Sequence, residues 1–219
     1  MLLGWPFPGD NTFMALDADL LRIPATITIT PEGYFDRDAL FEQACELYTE
    51  AKVEMDAEGN VIVTPGNSED SGYRSGEAFG QLRDWARKDG TGRAFDSSTN
   101  FNLPSGAKRQ PDAAWVSKRV LQKEGVANLR STTKAHHVPD FLIEVMSPSD
   151  KLEQQQGKCE EWIDAGVKEA FLLDPASKTA YVYRSDGSLV QEIADAAQVQ
   201  SKVLNGFVLD CRPVWEDLT

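Results

Sequence analysis

Apolar residues recur at two different spacings along the chain, and the change of spacing marks out its elements. Positions three and four apart predict a helix over Asp36–Thr49 and another over Tyr73–Lys88. Between them, the apolar runs Val53–Met55 and Val61–Val63 flank a turn at Gly59-Asn60, which is typical of a β-hairpin. We therefore expect an N-terminal helix and hairpin ahead of a second, longer helix.

Short apolar runs bounded by turn residues predict the strands in the rest of the chain. These are Arg93–Leu103, Asp112–Val116, Phe141–Met146, Ala170–Leu173, Thr179–Arg184 and Leu204–Leu209. The turn Pro104-Ser105-Gly106 is expected to join the first two strands. A helix is expected over Lys151–Ala165, with Asp150 as its N-cap, Glu153 in capping-box position and Gly166 at its end.

From residue 73 the predicted order is helix, three strands, helix and strand, abbreviated αβββαβ. Strands interleaved with helices indicate an α/β fold with a mixed central β-sheet flanked by helices. The chain has 219 residues, 41% of them apolar, which suits a single domain with a substantial core. We divide this domain, 1–219, into an irregular extension (1–25), the helix and hairpin (26–72), the core (73–184) and C-terminal strands (185–219).

Composition narrows the class of protein. No stretch approaches the roughly 20 apolar residues that a membrane-spanning helix needs, and the start lacks the pattern of a signal peptide, so we expect a cytoplasmic protein. The three cysteines, Cys45, Cys159 and Cys211, are far apart, which disfavours a disulfide scaffold or a zinc site. With only His136 and His137 available, a histidine-based catalytic triad is also disfavoured.

Charge is unevenly distributed along the chain. The net charge of −13 argues against a nucleic-acid partner, yet residues 74–134 hold 12 Lys or Arg and only 6 Asp or Glu. This segment could form a local basic surface on an acidic molecule. Ordinary solvated side chains explain the same count, so charge alone leaves both interpretations open.

Two carboxylates lie at the margins of apolar strands. Asp112 precedes the run Ala113–Val116, and Glu144 follows Phe141–Ile143. Two buried carboxylates on adjacent strands repel each other unless a cation lies between them or one is protonated. Mg²⁺ favours such a site because it takes oxygen ligands. Alternatively, Asp112 caps a turn and Glu144 pairs with an arginine.

A lysine borders the apolar stripe of the helix that follows Glu144. Lys158 lies beside Cys159 and one turn before Trp162, so its ammonium could reach the two carboxylates. It could equally extend into water, which is the usual behaviour of a lysine. Lys151 lies two turns earlier, on nearly the same side of the helix.

The segments PDAAWV, PDFLIEVMSPSD and GKCEEWIDAGVKEAFLLDP resemble the Uma-two family of restriction-endonuclease-like proteins, which belongs to the PD-(D/E)XK nuclease superfamily. The resemblance covers roughly Ile27 to Tyr183, and FDSSTNFNLPSGAKRQPDAAWVS is its most specific part. It implies a restriction-endonuclease-like core and a Mg²⁺- or Mn²⁺-dependent endonuclease acting on nucleic acid, with DNA favoured over RNA. A homodimer is expected as well, since many nucleases that cut duplexes pair two sites.

The resemblance also implies roles for individual residues. Asp112 matches the Asp of the PD motif and Glu144 matches its (D/E) position. The motif lysine should follow two residues later, where this chain has Met146. Lys158 matches the family's lysine on the following helix, and Lys151 is the second choice.

Further residues complete the expected site. Asp112, Glu144 and the carbonyl of Val145 are expected to hold the metal. Glu54 matches an additional acidic residue of the family, and Glu77 is a second possible acid, although a solvated helix face explains it as well. The candidate phosphate contacts in the basic segment are Arg74, Arg93, Lys108 and Arg109.

Two other functions compete with this interpretation. The missing motif lysine at Met146 and the net charge of −13 are both consistent with a catalytically inactive binding or interaction module of the same fold. A carboxylate pair could also hydrolyse sugars, with Trp85, Trp115 and Trp162 as platforms. However, Trp85 and Trp162 lie on apolar helical stripes, which favours a place in the core.

Overall fold

A computed structural model of the chain describes residues 25–31, 36–130, 137–185 and 191–217. Nearly all of the predicted extension and the histidine at position 136 lie outside these ranges, as does Asp186-Gly187, whose sequence is typical of a turn. The helices are α1 (Arg37–Leu47), α2 (Glu69–Asp89), α3 (Lys118–Glu124), α4 (Val126–Leu129), α5 (Leu152–Asp164) and α6 (Arg212–Trp215). Within the described ranges, no helix is both long and apolar enough to cross a bilayer.

The caps explain where the two N-terminal helices begin and end. The side chain of Asp36 accepts a hydrogen bond from the backbone N–H of Asp38 and caps α1. Helix α2 begins earlier than its apolar stripe predicts, because Ser68 caps it through the N–H of Ser71. It ends at Gly90, whose φ of 70° lies in the left-handed region that glycine adopts without strain.

Helix α5 lacks the predicted cap. Its N-cap is Lys151, which makes no side-chain capping bond. The carboxylate of Asp150 instead turns back and accepts from both the N–H and the hydroxyl of Ser147, at 2.7 and 2.8 Å. The expected capping box is therefore wrong, because a closer pair of donors lies in the preceding turn.

The main sheet has six strands in the order β11-β10-β9-β8-β7-β4. Its strands are β4 (Gly92–Asp96), β7 (Ala113–Ser117), β8 (Phe141–Val145), β9 (Glu169–Asp174), β10 (Thr179–Arg184) and β11 (Gln191–Ile193). Strands β8 and β9 are parallel, while the other neighbours are antiparallel. The series α2, β4, β7, β8, α5, β9 confirms the predicted αβββαβ core, with a mixed sheet between helices.

A second sheet forms at the N-terminal side, in the order β1-β3-β2-β6-β5. Its strands are β1 (Ile27–Ile29), β2 (Lys52–Met55), β3 (Val61–Thr64), β5 (Phe101–Asn102) and β6 (Lys108–Arg109). The predicted hairpin is confirmed as β2 and β3, paired in antiparallel register. Phe41 of α1 and Val53, Val61 and Val63 of the hairpin bury a small separate core.

The predicted strand Arg93–Leu103 is wrong, because the chain changes sheets within it. Asp96 accepts hydrogen bonds from the N–H and hydroxyl of Ser98, which ends β4 in a turn. The following strand, β5, belongs to the second sheet, and the turn at 104–106 joins it to β6 rather than to β7. The segment between β4 and β7 thereby ties the two sheets together.

The predicted strand Leu204–Leu209 is also largely wrong. Only its end is extended, as β13 (Val208–Asp210), which pairs with β12 (Gln198–Gln200). Before it, the hydroxyl of Ser201 accepts the N–H of Leu204 at 2.8 Å and closes a turn. Leu204 and Phe207 are apolar because they fill the core beside α2, not because they lie in a strand.

Alternate residues of the main sheet face two different cores. Ala113 and Ile143 pack on the side of α2. Ala114 and Leu142 pack on the side of α5, against Cys159 and Trp162 among others. Because side chains alternate with period two, positions 112 and 144 face the α5 side. The sheet therefore directs both predicted carboxylates toward the helix that carries Lys158.

Candidate active site

Asp112 and Glu144 come together where β7 begins and β8 ends. Ala113 pairs with Ile143, so one further step along the antiparallel ladder sets Asp112 opposite Glu144. Directly opposed residues have Cβ atoms about 5 Å apart. The N–H of Val145 donates to Oδ2 of Asp112 at 2.7 Å, which fixes the carboxylate against the end of β8. Glu144 is buried and Asp112 is half-buried.

Lys158 reaches this pair from α5. Its Nζ lies 3.0 Å from Oε1 of Glu144 and 3.1 Å from Oε1 of Glu54. On the same helix, Nε1 of Trp162 donates to Oε1 of Glu144 at 3.1 Å. Trp162 and Cys159 are fully buried and hold this side of α5 against the sheet. The lysine is therefore positioned by the packing of the helix rather than extended into solvent.

Glu54 joins the group from β2 of the second sheet. Besides Lys158, its Oε1 accepts the backbone N–H of Gln110 at 2.8 Å. Lys52, two residues earlier on the same strand, has its Nζ 4.0 Å from the same oxygen. The N-terminal hairpin thus supplies one carboxylate and one additional cation to a site whose other parts belong to the main sheet.

The three cations around Glu54 keep its carboxylate ionised. Burial opposes ionisation, but Lys158, and then Lys52 and Arg109, outweigh it and lower the pKa of Glu54 to about 2. Burial likewise works against the charged form of Lys158. Glu144 and Glu54 more than offset it, so the pKa of this ammonium lies above its usual range. Both partners are therefore charged at neutral pH.

Asp112 is the least satisfied member of the group. Burial raises its pKa to about 6, and the charge of Glu144 adds to the rise. Lys52 and Lys158 oppose the shift without cancelling it, as does the hydrogen bond from Val145. Such a carboxylate gains from any further positive charge placed beside it.

A divalent cation fits this arrangement. Within the described ranges no protein group donates to Oδ1 of Asp112 or to Oε2 of Glu144, which leaves one oxygen of each carboxylate available. Mg²⁺ prefers one or two carboxylates, with waters and substrate oxygens filling its other positions. The described residues contain no cluster of three or more His, Cys, Asp or Glu suited to a metal, so waters and substrate oxygens would have to supply most of the ligands.

The four predicted phosphate contacts lie in different environments. Arg74 is buried beside α6, where it bonds Asp70, Asp217 and the carbonyl of Val214. Lys108 is buried and lies 2.9 Å from Asp38. The charges of Arg74 and Lys108 are neutralised inside the protein, which corrects the expectation that they contact phosphate.

Of the other two basic residues, Arg109 is half-buried and Arg93 is exposed. Arg109 pairs with Glu161 of α5 at 2.8 Å and also helps to lower the pKa of Glu54, so it borders the site. Arg93 is exposed on β4, opposite Val116. It faces the same side of the sheet as Asp112 but lies near the far end of β7.

Two of the secondary candidates lie apart from the group. Glu77 is half-buried on α2, which packs on the other side of the main sheet from α5. Lys151 is exposed at the start of α5. Among the contacts of the described residues, none joins either side chain to Asp112, Glu144 or Lys158.

The three tryptophans considered as sugar platforms lie in the core or pack against it, as the helical spacing of Trp85 and Trp162 predicts. Trp162 is fully buried, Trp115 is 6% exposed, and Trp85 packs edge-on against Trp115 with ring centroids 5.8 Å apart. They are not available as sugar platforms. Sequence reasoning missed the bond from Trp162 to Glu144 and the presence of Lys52. Lys52 could have been predicted from its spacing, because it lies two residues before Glu54 on one strand and therefore on the same face.

Comparisons with known proteins identify the family and the fold. The sequence profile of the Uma2 family, described as "Putative restriction endonuclease", matches residues 38–212. A crystal structure of a putative nuclease belonging to DUF820 from Anabaena variabilis ATCC 29413 is similar in fold. It aligns with a TM-score of 0.58 at 16% identity, over 74% of this chain and 89% of that one.

A cryo-electron microscopy structure of a DrdV–DNA complex also aligns, with a TM-score of 0.33 and 16% identity over 52% of this chain and 9% of that chain. No curated protein matches the sequence. The profile covers most of the chain, including β7, β8 and α5, which carry Asp112, Glu144 and Lys158. The chain therefore belongs to the Uma2 family of restriction-endonuclease-like proteins.

Proposed function

We propose that this protein is a metal-dependent endonuclease that hydrolyses phosphodiester bonds in nucleic acid, with DNA favoured over RNA. One observation carries the proposal: a half-buried Asp112 lies opposite a buried Glu144, with Lys158 bound to the latter. Membership of the Uma2 family supports the same chemistry. Two carboxylates held this close together in a partly buried site lower the free energy of unfolding. This cost favours a functional role for the pair over a structural one.

Asp112, Glu144 and the carbonyl of Val145 would hold Mg²⁺ or Mn²⁺. The bound ion supplies a Lewis acid for the scissile phosphate and lowers the pKa of a water molecule. The chain's own part is to hold the carboxylates in place. For Glu144, the ammonium of Lys158 and the indole of Trp162 do this by contacting the same oxygen.

Lys158 takes the place of the lysine that the motif lacks. Met146 is buried in the core on the α5 side and faces the same side of the sheet as Glu144. An ammonium from α5 reaches that side instead, at 3.0 Å from Glu144. There it would orient the attacking water or stabilise the negative charge that develops at phosphorus.

The polynucleotide backbone would meet Arg109 beside the site and Arg93 at the edge of the sheet. Phosphate contacts of this kind position a nucleic acid without reading its sequence. A homodimer would bring together the two sites needed to cut both strands of a duplex.

The decisive experiment compares cleavage by the wild type and Asp112→Asn. Linear and supercoiled DNA, single-stranded DNA and RNA are incubated with Mg²⁺, Mn²⁺ or EDTA. We expect metal-dependent cleavage by the wild type and a loss of about 1,000-fold or more in the variant, since a metal ligand contributes several kcal/mol to the barrier.

Asp140→Asn is the matched control, because Asp140 is a buried carboxylate at the other end of the same two strands. It should retain cleavage at temperatures well below its melting point. Absence of cleavage by the wild type on every substrate and with either metal would favour an inactive binding module. Equal cleavage by the wild type and Asp112→Asn would place the chemistry elsewhere.

A further inference from the structure

Strand β2 presents two opposite faces. Val53 and Met55 point into the small core beneath α1. Lys52 and Glu54 alternate with them and therefore share the other face. Glu54 is bonded to Lys158 from that face, so Lys52 is directed toward the same group of side chains. No superfamily motif marks this lysine, which belongs to the hairpin that precedes the αβββαβ core.

The three cations near Glu54 differ in their freedom to meet a substrate. Lys158 is held in two ion pairs of about 3 Å, and its side chain is 13% exposed. Arg109 is paired with Glu161 at 2.8 Å and is 12% exposed. Among the described residues, Lys52 has a single ion pair, of 4.0 Å, and its side chain is 26% exposed. Of the three, Lys52 loses least by turning toward a group that arrives from solvent.

We infer that Lys52 is a phosphate-binding residue of the active site, whose ammonium contacts a non-bridging oxygen of the scissile phosphate. The inference rests on the proposed function and adds to it a residue from the second sheet. Lys158, held by Glu144 and Glu54, keeps its proposed role beside the metal, and Lys52 adds a second positive charge that contacts the substrate. A flexible four-carbon side chain with a compact charge suits this role.

The geometry supports the location. Nζ of Lys52 lies 4.0 Å from Oε1 of Glu54, the same oxygen that contacts Lys158. Lys158 in turn contacts Glu144, which is proposed to hold the metal. A phosphate bridging the metal and Lys52 would be bound from both sides.

The test uses the full chain and the variants Lys52→Ala and Lys52→Arg. The control is Lys88→Ala, which removes an exposed lysine from α2 on the other side of the main sheet. Binding of a duplex oligonucleotide is measured in EDTA over a range of salt concentrations. Cleavage is measured separately with Mg²⁺ or Mn²⁺, and melting temperature confirms that each variant folds.

Lys52→Ala should lower kcat/KM by about 100-fold, the order of magnitude expected when one cation that contacts the reacting phosphate is removed. It should also reduce the magnitude of the salt dependence of binding by about one ion, because one phosphate contact is lost. Lys52→Arg should restore the salt dependence, and Lys88→Ala should change neither quantity.

Two results would overturn the inference. One is Lys52→Ala cleaving within twofold of the wild type. The other is loss of cleavage with an unchanged salt dependence, which would make Lys52 a positioning residue for Glu54. A wild type that binds but does not cleave would refute the proposed nuclease activity alone; a shallower salt dependence in Lys52→Ala would then still establish the phosphate contact.

Discussion

A buried or half-buried aspartate lies at each end of the β7–β8 pair, and the pKa values of the two are shifted in opposite directions. At one end, Asp140 accepts the N–H of Ser117 and pairs with Lys168. Burial opposes its ionisation, but these partners lower its pKa. At the other end, the pKa of Asp112 is raised to about 6. The same strands thus provide a stabilising carboxylate at one end and an unsatisfied one at the other.

The difference lies in how the charges are balanced. Asp140 has partners on both of its oxygens. Asp112 shares its surroundings with Glu144 and, within the part of the chain that the structure describes, receives one hydrogen bond, from the backbone of Val145. A carboxylate that is incompletely paired and partly accessible is typical of a ligand-binding site. The Asp140 end therefore stabilises the fold, whereas the Asp112 end is proposed to act on substrate. Variants at either end test this difference.

Replacing the lysine at each end should give the largest difference in stability between the two ends. Lys158→Met leaves Glu144 and Glu54 buried without their shared cation, and we expect a loss of about 3–5 kcal/mol in the free energy of unfolding. Lys168→Met should cost at most about 1 kcal/mol, because Lys168 is 47% exposed. Urea denaturation of the two variants measures both values. Equal losses would contradict the distinction.

Neutralising the carboxylate at each end should change stability in opposite directions. Asp140→Asn should lower the free energy of unfolding by about 1–3 kcal/mol, since it weakens buried charge-assisted bonds. Asp112→Asn should raise it by on the order of 2 kcal/mol at pH 7.5, because the amide keeps an acceptor for Val145 and removes repulsion with Glu144. A destabilised Asp112→Asn would show that its charge serves the fold.

The gain from Asp112→Asn should depend on pH in a defined window. A raised carboxyl pKa means that the folded state binds more protons than the unfolded state between the ordinary value of 3.8 and about 6. The wild type therefore loses stability, relative to Asp112→Asn, as pH rises through that window, by up to about 3 kcal/mol. Melting temperatures of both proteins from pH 4 to 8 measure the difference, and a constant difference would contradict the pKa shift.

Metal binding should give the smallest of these effects. At ten times its Kd, a divalent ion that binds only the folded state adds about 1.4 kcal/mol. We expect Mg²⁺ or Mn²⁺ to raise the melting temperature more at pH 7.5 than at pH 5, because Asp112 must be ionised to bind. Asp112→Asn should lose most of this shift while Asp140→Asn keeps it. Equal shifts in both variants would place the ion elsewhere.

Strands that are apolar along their whole length could be located from the sequence. Strand β10 has the predicted bounds, Thr179–Arg184, because nearly all of its residues are buried. Segments that mix core contacts with turns could not. The hydrogen bonds from Ser98 to Asp96 divide one apolar segment between two sheets, and the turn at Ser201 interrupts another. In both cases a short polar contact decides what hydrophobic spacing leaves open.

The candidate site could likewise be predicted only in part from the sequence. Carboxylates at strand margins pointed to Asp112 and Glu144, and helical spacing brought Lys158 within reach. The sequence did not predict which residues of the basic segment are buried in ion pairs, because the partners are distant in sequence. Arg74, for example, bonds Asp217, which lies 143 residues further along the chain. Lys52 was missed because one lysine beside one acid, on a short strand, has the pattern of a solvated surface.

The sequence by itself determined the αβββαβ order, the two carboxylates at the end of β7 and β8, and the absence of lysine at Met146, because local periodicity and residue identity encode all three. Only the tertiary structure decided which charges meet. It set Lys158 between Glu144 and Glu54, brought Lys52 to the same site from a separate sheet, and enclosed Arg74 and Lys108 within the fold. The physical reason is that burial and pairing depend on contacts between distant segments, which determine whether a charged side chain is neutralised or left available for a ligand.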